Sequence, residues 1–256
     1  GLALFVIYGI YNRIRKNNTV LPLRFFKSKN FTAANIGIFL AGIASNGPML
    51  LLPLFFQNTK GFTAVEAGLM LIPQGLGMMV TRPLIGKMID RMGARPVVLV
   101  SLAISLLGTI PFIFVHENTN LIWLGLVLFV RGMGIGGLQM PMMTDIFIGL
   151  DKQDIPGASV GQRIIQNVGS SFGSAVISAV VTAVVTSEIA GQMTTKLHQL
   201  AAMHTNLTPT VIARAKTSVE KAVTLNGYQL GFLVSSIVLI VIAIPAMFLS
   251  QKKVNK

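Results

Sequence analysis

The sequence contains no cysteine, only eight acidic residues, one tryptophan and three histidines in 256 positions. Without cysteine there are no disulfides and no thiolate metal sites, and His116, His198 and His204 are too scattered to make a metal cluster by spacing. No metal and no cofactor is expected. Charge is also scarce, at 11% of residues, where a soluble domain carries about a quarter. In its place stand 52% hydrophobic residues and a mean hydropathy of +0.70, which describe a membrane protein. The net charge of +13 does not point to nucleic acid, because the basic residues fill short breaks between apolar runs instead of a basic face with readers beside it. A phosphate-cradling glycine loop followed by Lys-Ser/Thr is missing, as are carboxylates paired in a plausible cleft, so no enzyme and no catalytic residue is expected.

Apolar segments long enough to span a bilayer lie at about 33–57, 66–87, 96–115, 121–144, 159–186 and 228–249. Lipid offers no hydrogen-bond partners, and continuous apolarity is not the alternation a barrel requires, so each segment is read as a helix. The fold class is an all-α membrane protein with a six-helix bundle over 33–250. The opening run GLALFVIYGIY, residues 1–11, is too short to span. Its basic residues follow it, whereas a signal peptide carries them in front. It is expected to be the end of a truncated transmembrane helix, with 12–32 a basic connector and 251–256 a tail.

Orientation follows from the excess of Lys and Arg in cytoplasmic loops. Fourteen fall in 12–32, 87–95, 145–163 and the tail, against Lys60 alone in the short loops of the other side. Those four segments, the C-terminus included, are therefore expected on the cytoplasmic side of a multi-pass cell-membrane protein. Residues 187–227 are polar by comparison and are expected as an extracellular loop with one or two short amphipathic helices. One of these begins at Thr208, an N-cap before Pro209. Gly47-Pro48, Pro53, Pro73, Pro83, Pro111, Pro141 and Pro245 place helix breakers in most spans, a pattern that suits helices able to bend.

The stretch GKMIDRMGAR, residues 86–95, concentrates four charges between two apolar runs. Gly86 is expected to allow close helix approach, Asp90 to offer a carboxylate at a helix end, and Gly93 to permit a tight turn. Arg91 and Arg95 surround Asp90 with cations. Asp90 is expected to meet Arg163 or the start of the fifth span, and Arg91 or Arg95 to meet Asp145, forming a cytoplasmic latch. An ordinary positive-inside turn explains the charge but not the fixed order of the glycines and Asp90.

The pattern G-x3-D-R-x-G-x-R resembles the cytoplasmic signature of the major facilitator superfamily. Residues 53–98 resemble the second half of its 14-span drug:proton antiporter branch, the multidrug-efflux type. Pro96 departs from the signature, which often has another basic residue there. Arg131-Gly132-Met133-Gly134-Ile135-Gly136-Gly137 resembles the Arg-then-glycine motif of the fourth helix of such a bundle. Gln166-Asn167 with Gly169 and Gly173 lies in the fifth helix, where the antiporter signature sits in first halves. The resemblance implies that the six spans are the C-terminal bundle and that residues 1–11 end a linker span. It also implies exchange of small amphipathic or cationic substrates against protons by alternating access.

Asn46, Gln57, Gln74, Gln139, Gln166 and Asn167 are uncharged polar groups within apolar runs and are expected to line a central cavity, with Arg131 deep in its span as a seventh member. Each amide on its own is more often an interhelical hydrogen bond than a ligand contact, and Arg131 is equally read as a structural residue bonding neighbouring helix carbonyls. Met49, Met70, Met78, Met140, Met142 and Met143 supply adaptable apolar surface. Arg82, near a span end, is read as a snorkelling residue, and Gly169 and Gly173 as a small-xxx-small packing face. No span carries Asp or Glu near its middle, so the proton-coupling carboxylates are expected in the other half of the carrier. Two alternatives stay open: a metabolite uptake carrier of the same superfamily, and a non-transporting membrane sensor or assembly subunit.

Overall fold

The computed structural model describes Phe25, residues 28–202 and residues 208–251. The expected linker-helix end at 1–11, most of the connector, His204 and the tail beyond Gln251 lie outside the described residues. Six helical segments are long and apolar enough to cross a membrane, and the described residues contain no strand. Helix α1 is Lys29–Lys60, and the second span is built from α2, Ala64–Leu69, and α3, Ile72–Met92. Helix α4, Ala94–Thr109, runs into a 3-10 turn at Ile110–Phe114, and α5 is Leu121–Ile146. Two long helices, α6 at Ile155–Ala202 and α7 at Pro209–Ala246, complete the bundle.

The boundaries follow local chemistry. Gly61, at φ 72°, ends α1 in the left-handed conformation and returns its N–H to the Gln57 and Phe56 carbonyls. Thr63 and Glu66 then form a reciprocal capping box that starts α2. Asn120 caps α5 by accepting from the Ile122 N–H at 2.8 Å, and Thr208 with Pro209 starts α7 as expected. Pro73 stands at the break between α2 and α3, and Pro111 lies where α4 tightens into the 3-10 turn. The helix continues through Pro48, Pro53, Pro83, Pro141 and Pro245.

Two expectations change. Residues 29–32, assigned to the connector, already belong to α1, because Ser28 accepts from the Phe31 N–H and caps the helix there. The segment 187–227 does not form separate short helices: α6 runs on to Ala202 and α7 starts at Pro209. No proline interrupts either arm, and Ala215, Val219 and Val223 are buried along the inner face of α7. Glu188 joins the arms by accepting from Gln192 at 3.0 Å and from Asn226 at 3.4 Å. At 48 and 38 residues, these helices are about 72 and 57 Å long at 1.5 Å per residue. Both exceed a hydrocarbon core of about 30 Å and extend as a helical hairpin past the other spans.

Packing groups the helices into two sets: α1 with α6 and α7, and α5 with α3 and α4; α1 meets α5 and α4 meets α7 between the sets. Helix α5 is the seam of the second set. A Cβ on Gly132 would lie 2.1 Å from the Gln74 carbonyl oxygen of α3, and one on Gly134 2.3 Å from Ser105 of α4. The glycines of RGMGIGG thus admit two neighbours on different sides, and Gly108 of α4 faces the Arg131 backbone just as closely. Gly169 and Gly173 pack α6 onto the backbone of Phe39 and Ile43 in α1, which is the packing role read from their spacing. Apolar clusters fill both ends of the bundle, one around Ile38, Leu138 and Leu239 and the other around Phe55, Leu128 and Phe232. On α5, Arg131 lies between the residues that feed the two clusters.

Candidate functional site

A cleft of about 640 Å³ opens between α1, α3, α5 and α6. Its lining follows helical periodicity: Gln74, Met78 and Arg82 at steps of four on α3, Gln139 and Met143 on α5, and Gln166 and Ser170 on α6. Asn46 and Met49 contribute from α1. Of the seven residues expected to line a cavity, Asn46, Gln74, Gln139, Gln166 and Asn167 are brought together here. Gln57 is not: it donates to the Pro53 carbonyl at 3.3 Å one turn back on α1, close to the end of the helix. Arg131 does not line the cleft either. It is fully buried and donates from Nη1 to Gln74 Oε1 at 2.9 Å, one residue behind the wall.

The amides form ordered chains. Buried Gln162 donates to Gln166 Oε1 at 3.1 Å, and Gln166 donates to Gln139 Oε1 at 3.0 Å, linking α6 to α5. Asn46 donates to the Gly42 carbonyl at 3.1 Å and to Ser170 Oγ at 2.8 Å, linking α1 to α6. These bonds hold side chains of the wall in fixed orientations, which converts flexible amides into a patterned surface. Met49, Met78, Met140 and Met143 complete the lining. Met142, by contrast, is fully buried and packs on Gly37, and Met70 joins the cluster around Phe55.

Arg82 was read from the sequence as a snorkelling residue, yet it lines the cleft. Its spacing of eight from Gln74 was the available signal, since i, i+4 and i+8 share one helix face. Ser45 and Ser170 were missed as well, because isolated serines in apolar helices give no periodic signal.

The turn at the other candidate site holds together differently from the expected latch. Gly93 has φ 81° and ends α3, matching the tight turn read from the sequence. Gly86 faces open space within the described residues, not a close helix crossing. Asp90, Arg91 and Arg163 lie on exposed positions, and among the described residues none of them forms an ion pair. Asp145 is fully buried, with Ser250 as its partner in place of Arg91 or Arg95. Its carboxylate accepts the Ser250 backbone N–H at 3.2 Å, and the Ser250 hydroxyl also donates to it. Arg95 takes part through its backbone, donating its N–H to the Ser250 carbonyl at 3.2 Å. The physical reason is placement: Asp145 points into the bundle where α7 ends, while Arg91 leaves α3 on its exposed side.

A six-span helical bundle with an amide-lined cleft of this size is a polytopic membrane protein built to present a polar surface inside the bilayer. The chain belongs to the Major Facilitator Superfamily, a family of membrane transporters, whose sequence pattern it matches over residues 9–161. It is similar to the "Multidrug resistance protein B homolog" of Mycobacterium tuberculosis, 29% identical over 144 residues that cover 56% of this chain and 27% of that protein. The "Multidrug resistance protein Stp" of the same organism is 29% identical over 145 residues, 56% of this chain and 26% of the relative. YcnB, an "Uncharacterized MFS-type transporter" of Bacillus subtilis, is 31% identical over 101 residues, 40% of this chain and 21% of its own. The matched stretch therefore spans about a quarter of the first of these relatives.

Proposed function

We propose that this chain forms the C-terminal half of a proton-coupled efflux carrier that moves small amphipathic molecules by alternating access. The observation that carries the reading is the cleft itself. It is walled by amides and methionines, a combination that accepts varied shapes through weak, adaptable contacts. Helices α3 and α6 flank it, and the apolar windows of both are only 17% buried, against 44% or more in the other four spans. That surplus of uncovered apolar surface beside a polar cleft fits a second bundle facing this one, with substrate held between the two near the bilayer midplane. The multidrug-resistance names of two relatives point the same way.

In this reading the GKMIDRMGAR turn and the C-terminus face the cytoplasm, as the Lys and Arg distribution implies. The turn acts as part of a cytoplasmic gate that includes Gly86, Asp90, Arg91, Gly93, Arg95, Asp145 and Arg163. Its closed contact in this conformation is the Ser250 junction, and Asp90 and Arg91 remain free to meet the facing bundle. Protons are supplied and consumed through carboxylates of the other half, since none of the described residues lining the cleft is acidic.

The test is extrusion of an uncharged amphipathic dye, Nile red, by the full-length protein in sealed vesicles, with the pH gradient intact and with it collapsed. Gradient-dependent extrusion is the expected result. Accumulation instead of extrusion would make it an uptake carrier, and no flux of any kind would make it a sensor or assembly subunit. Asp90→Asn is expected to slow extrusion; unchanged extrusion would remove Asp90 from the gate.

A further inference from the structure

The polar groups of the cleft are unequal in kind, and their inequality comes from Arg131. A guanidinium carries donors only, so the Gln74 oxygen must turn toward Arg131, at 2.9 Å from Nη1. The Gln74 amide is then left with its NH2 group as the free end, on a residue that lines the cleft. The chain through Gln162 and Gln166 ends in the same way, because Gln139 accepts through Oε1 and retains its NH2. Arg82 adds a guanidinium to the lining, and among the described lining residues it is the charged one, with no carboxylate beside it. Behind the wall, Arg131 is fully buried with Nε and Nη2 unpartnered. A cation enclosed in low-dielectric surroundings, without a counter-ion, projects positive potential into the nearest polar space.

From this we infer that the cleft is an anion-accepting subsite: it takes the carboxylate of an amphipathic weak acid at Arg82, with the free NH2 groups of Gln74 and Gln139 as further donors along the wall and the apolar body against Met49, Met78, Met140 and Met143. This deepens the efflux reading and rests on it for the identity of the cleft as a substrate site. It departs from the cationic class expected from the sequence, because a cation here would meet Arg82 and the free NH2 groups of Gln74 and Gln139, with Arg131 behind them and the Asn46 oxygen as an acceptor on α1. Arg131 serves as a positioning residue. It orients Gln74 without touching the ligand.

The experiment uses two probes with the same ring and opposite charge, 2-naphthoate and 2-naphthylmethylammonium, in equilibrium binding to the full-length protein in phosphatidylcholine nanodiscs. Naphthoate is expected to bind roughly tenfold or more tightly than the ammonium, in keeping with one charge-assisted hydrogen bond. Arg82→Gln is expected to cut that ratio by about tenfold, and Arg82→Lys to retain most of it. Gln74→Glu, which places a carboxylate against Arg131 and so does not weaken the fold, is expected to lower the ratio as well. Equal binding of the two probes, tighter binding of the ammonium, or a ratio that survives both Arg82→Gln and Gln74→Glu overturns the proposal. The two readings fail separately. Naphthoate preference without gradient-driven flux sinks the efflux function and leaves the subsite, whereas gradient-driven Nile red extrusion without charge preference does the reverse.

Discussion

The carboxylate of Asp145, at the end of α5, accepts the backbone N–H of Ser250 at 3.2 Å, 105 positions later in the chain. With the Ser250 hydroxyl donating to the same carboxylate and the Arg95 N–H donating to the Ser250 carbonyl, one residue ties together the ends of three helices. A buried carboxylate is tolerated where its lone pairs are met by donors in this way. The charged turn of the sequence is thus anchored by backbone geometry, and its arginine side chains are left outside the junction.

Asp145→Ala is expected to destabilise the protein by about 1–3 kcal/mol, because it leaves the half-buried Ser250 N–H and hydroxyl without their partner. Thermal unfolding in detergent is the measurement. Ser250→Ala should cost less, since the N–H bond survives, and the double variant should fall short of the sum of the singles because they share one interaction. Arg91→Ala, on an exposed and unpaired side chain, should leave the melting temperature nearly unchanged. A large drop there would restore the ion-pair latch.

Arg131→Met is expected to stabilise the folded protein or leave its stability unaltered. An arginine at the centre of a span costs at least about 2.5–3.5 kcal/mol unless it is paired or hydrated, and this one makes a single hydrogen bond. A thioether chain of similar volume relieves the cost. Transport should fall in the same variant because Gln74 loses its orientation. If the melting temperature falls along with transport, Arg131 is structural.

At the α5 seam, Gly132→Ala places a methyl 2.1 Å from the Gln74 carbonyl oxygen, closer than any real contact. Helix α3 must shift, at a cost of about 1–3 kcal/mol for overpacking. Gly191→Ala, in the helical hairpin with no neighbour near its Cβ, should instead stabilise by about 0.5–1 kcal/mol, the difference in helix propensity. The contrast between these two substitutions, read by thermal unfolding, checks the packing without reference to transport.

Gly93→Ala meets two obstacles, a φ of 81° and a Cβ that would lie 3.0 Å from the Gln251 backbone. With ψ at 176° this is an extended positive-φ conformation that only glycine adopts readily, and it costs an L-residue about 1–3 kcal/mol. Because Ser250 and Gln251 pack here, loosening of the C-terminal end should accompany the loss, visible as faster amide exchange at Ser250.

Much of the site was legible because helices are periodic and lipid is unforgiving. Asn46, Gln74, Gln139, Gln166 and Asn167 stood out as amides in apolar runs, and the cleft gathers all five. Gln57 has the same signature but lies near the helix end, bonded to its own backbone, and nothing local distinguishes the two cases. Arg82 shared a face with Gln74, yet a cation near a span end snorkels so readily that its spacing was outweighed. The pairing of Asp145 could not be read either, because its partner is largely a backbone N–H, and backbone groups carry no sequence signature.

The sequence by itself determined the six spans, their helical character among the described residues and the helix start at Thr208, since solvation of the backbone in lipid and local hydrogen bonding depend on a few consecutive residues. Tertiary structure decided the partnerships: which amides face the cleft, that Arg131 stands behind Gln74, and that residues 187–202 and 209–227 continue two spans instead of forming short helices. Those outcomes depend on which faces of distant helices meet, and glycine seams at Gly132, Gly134, Gly169 and Gly173 set that meeting.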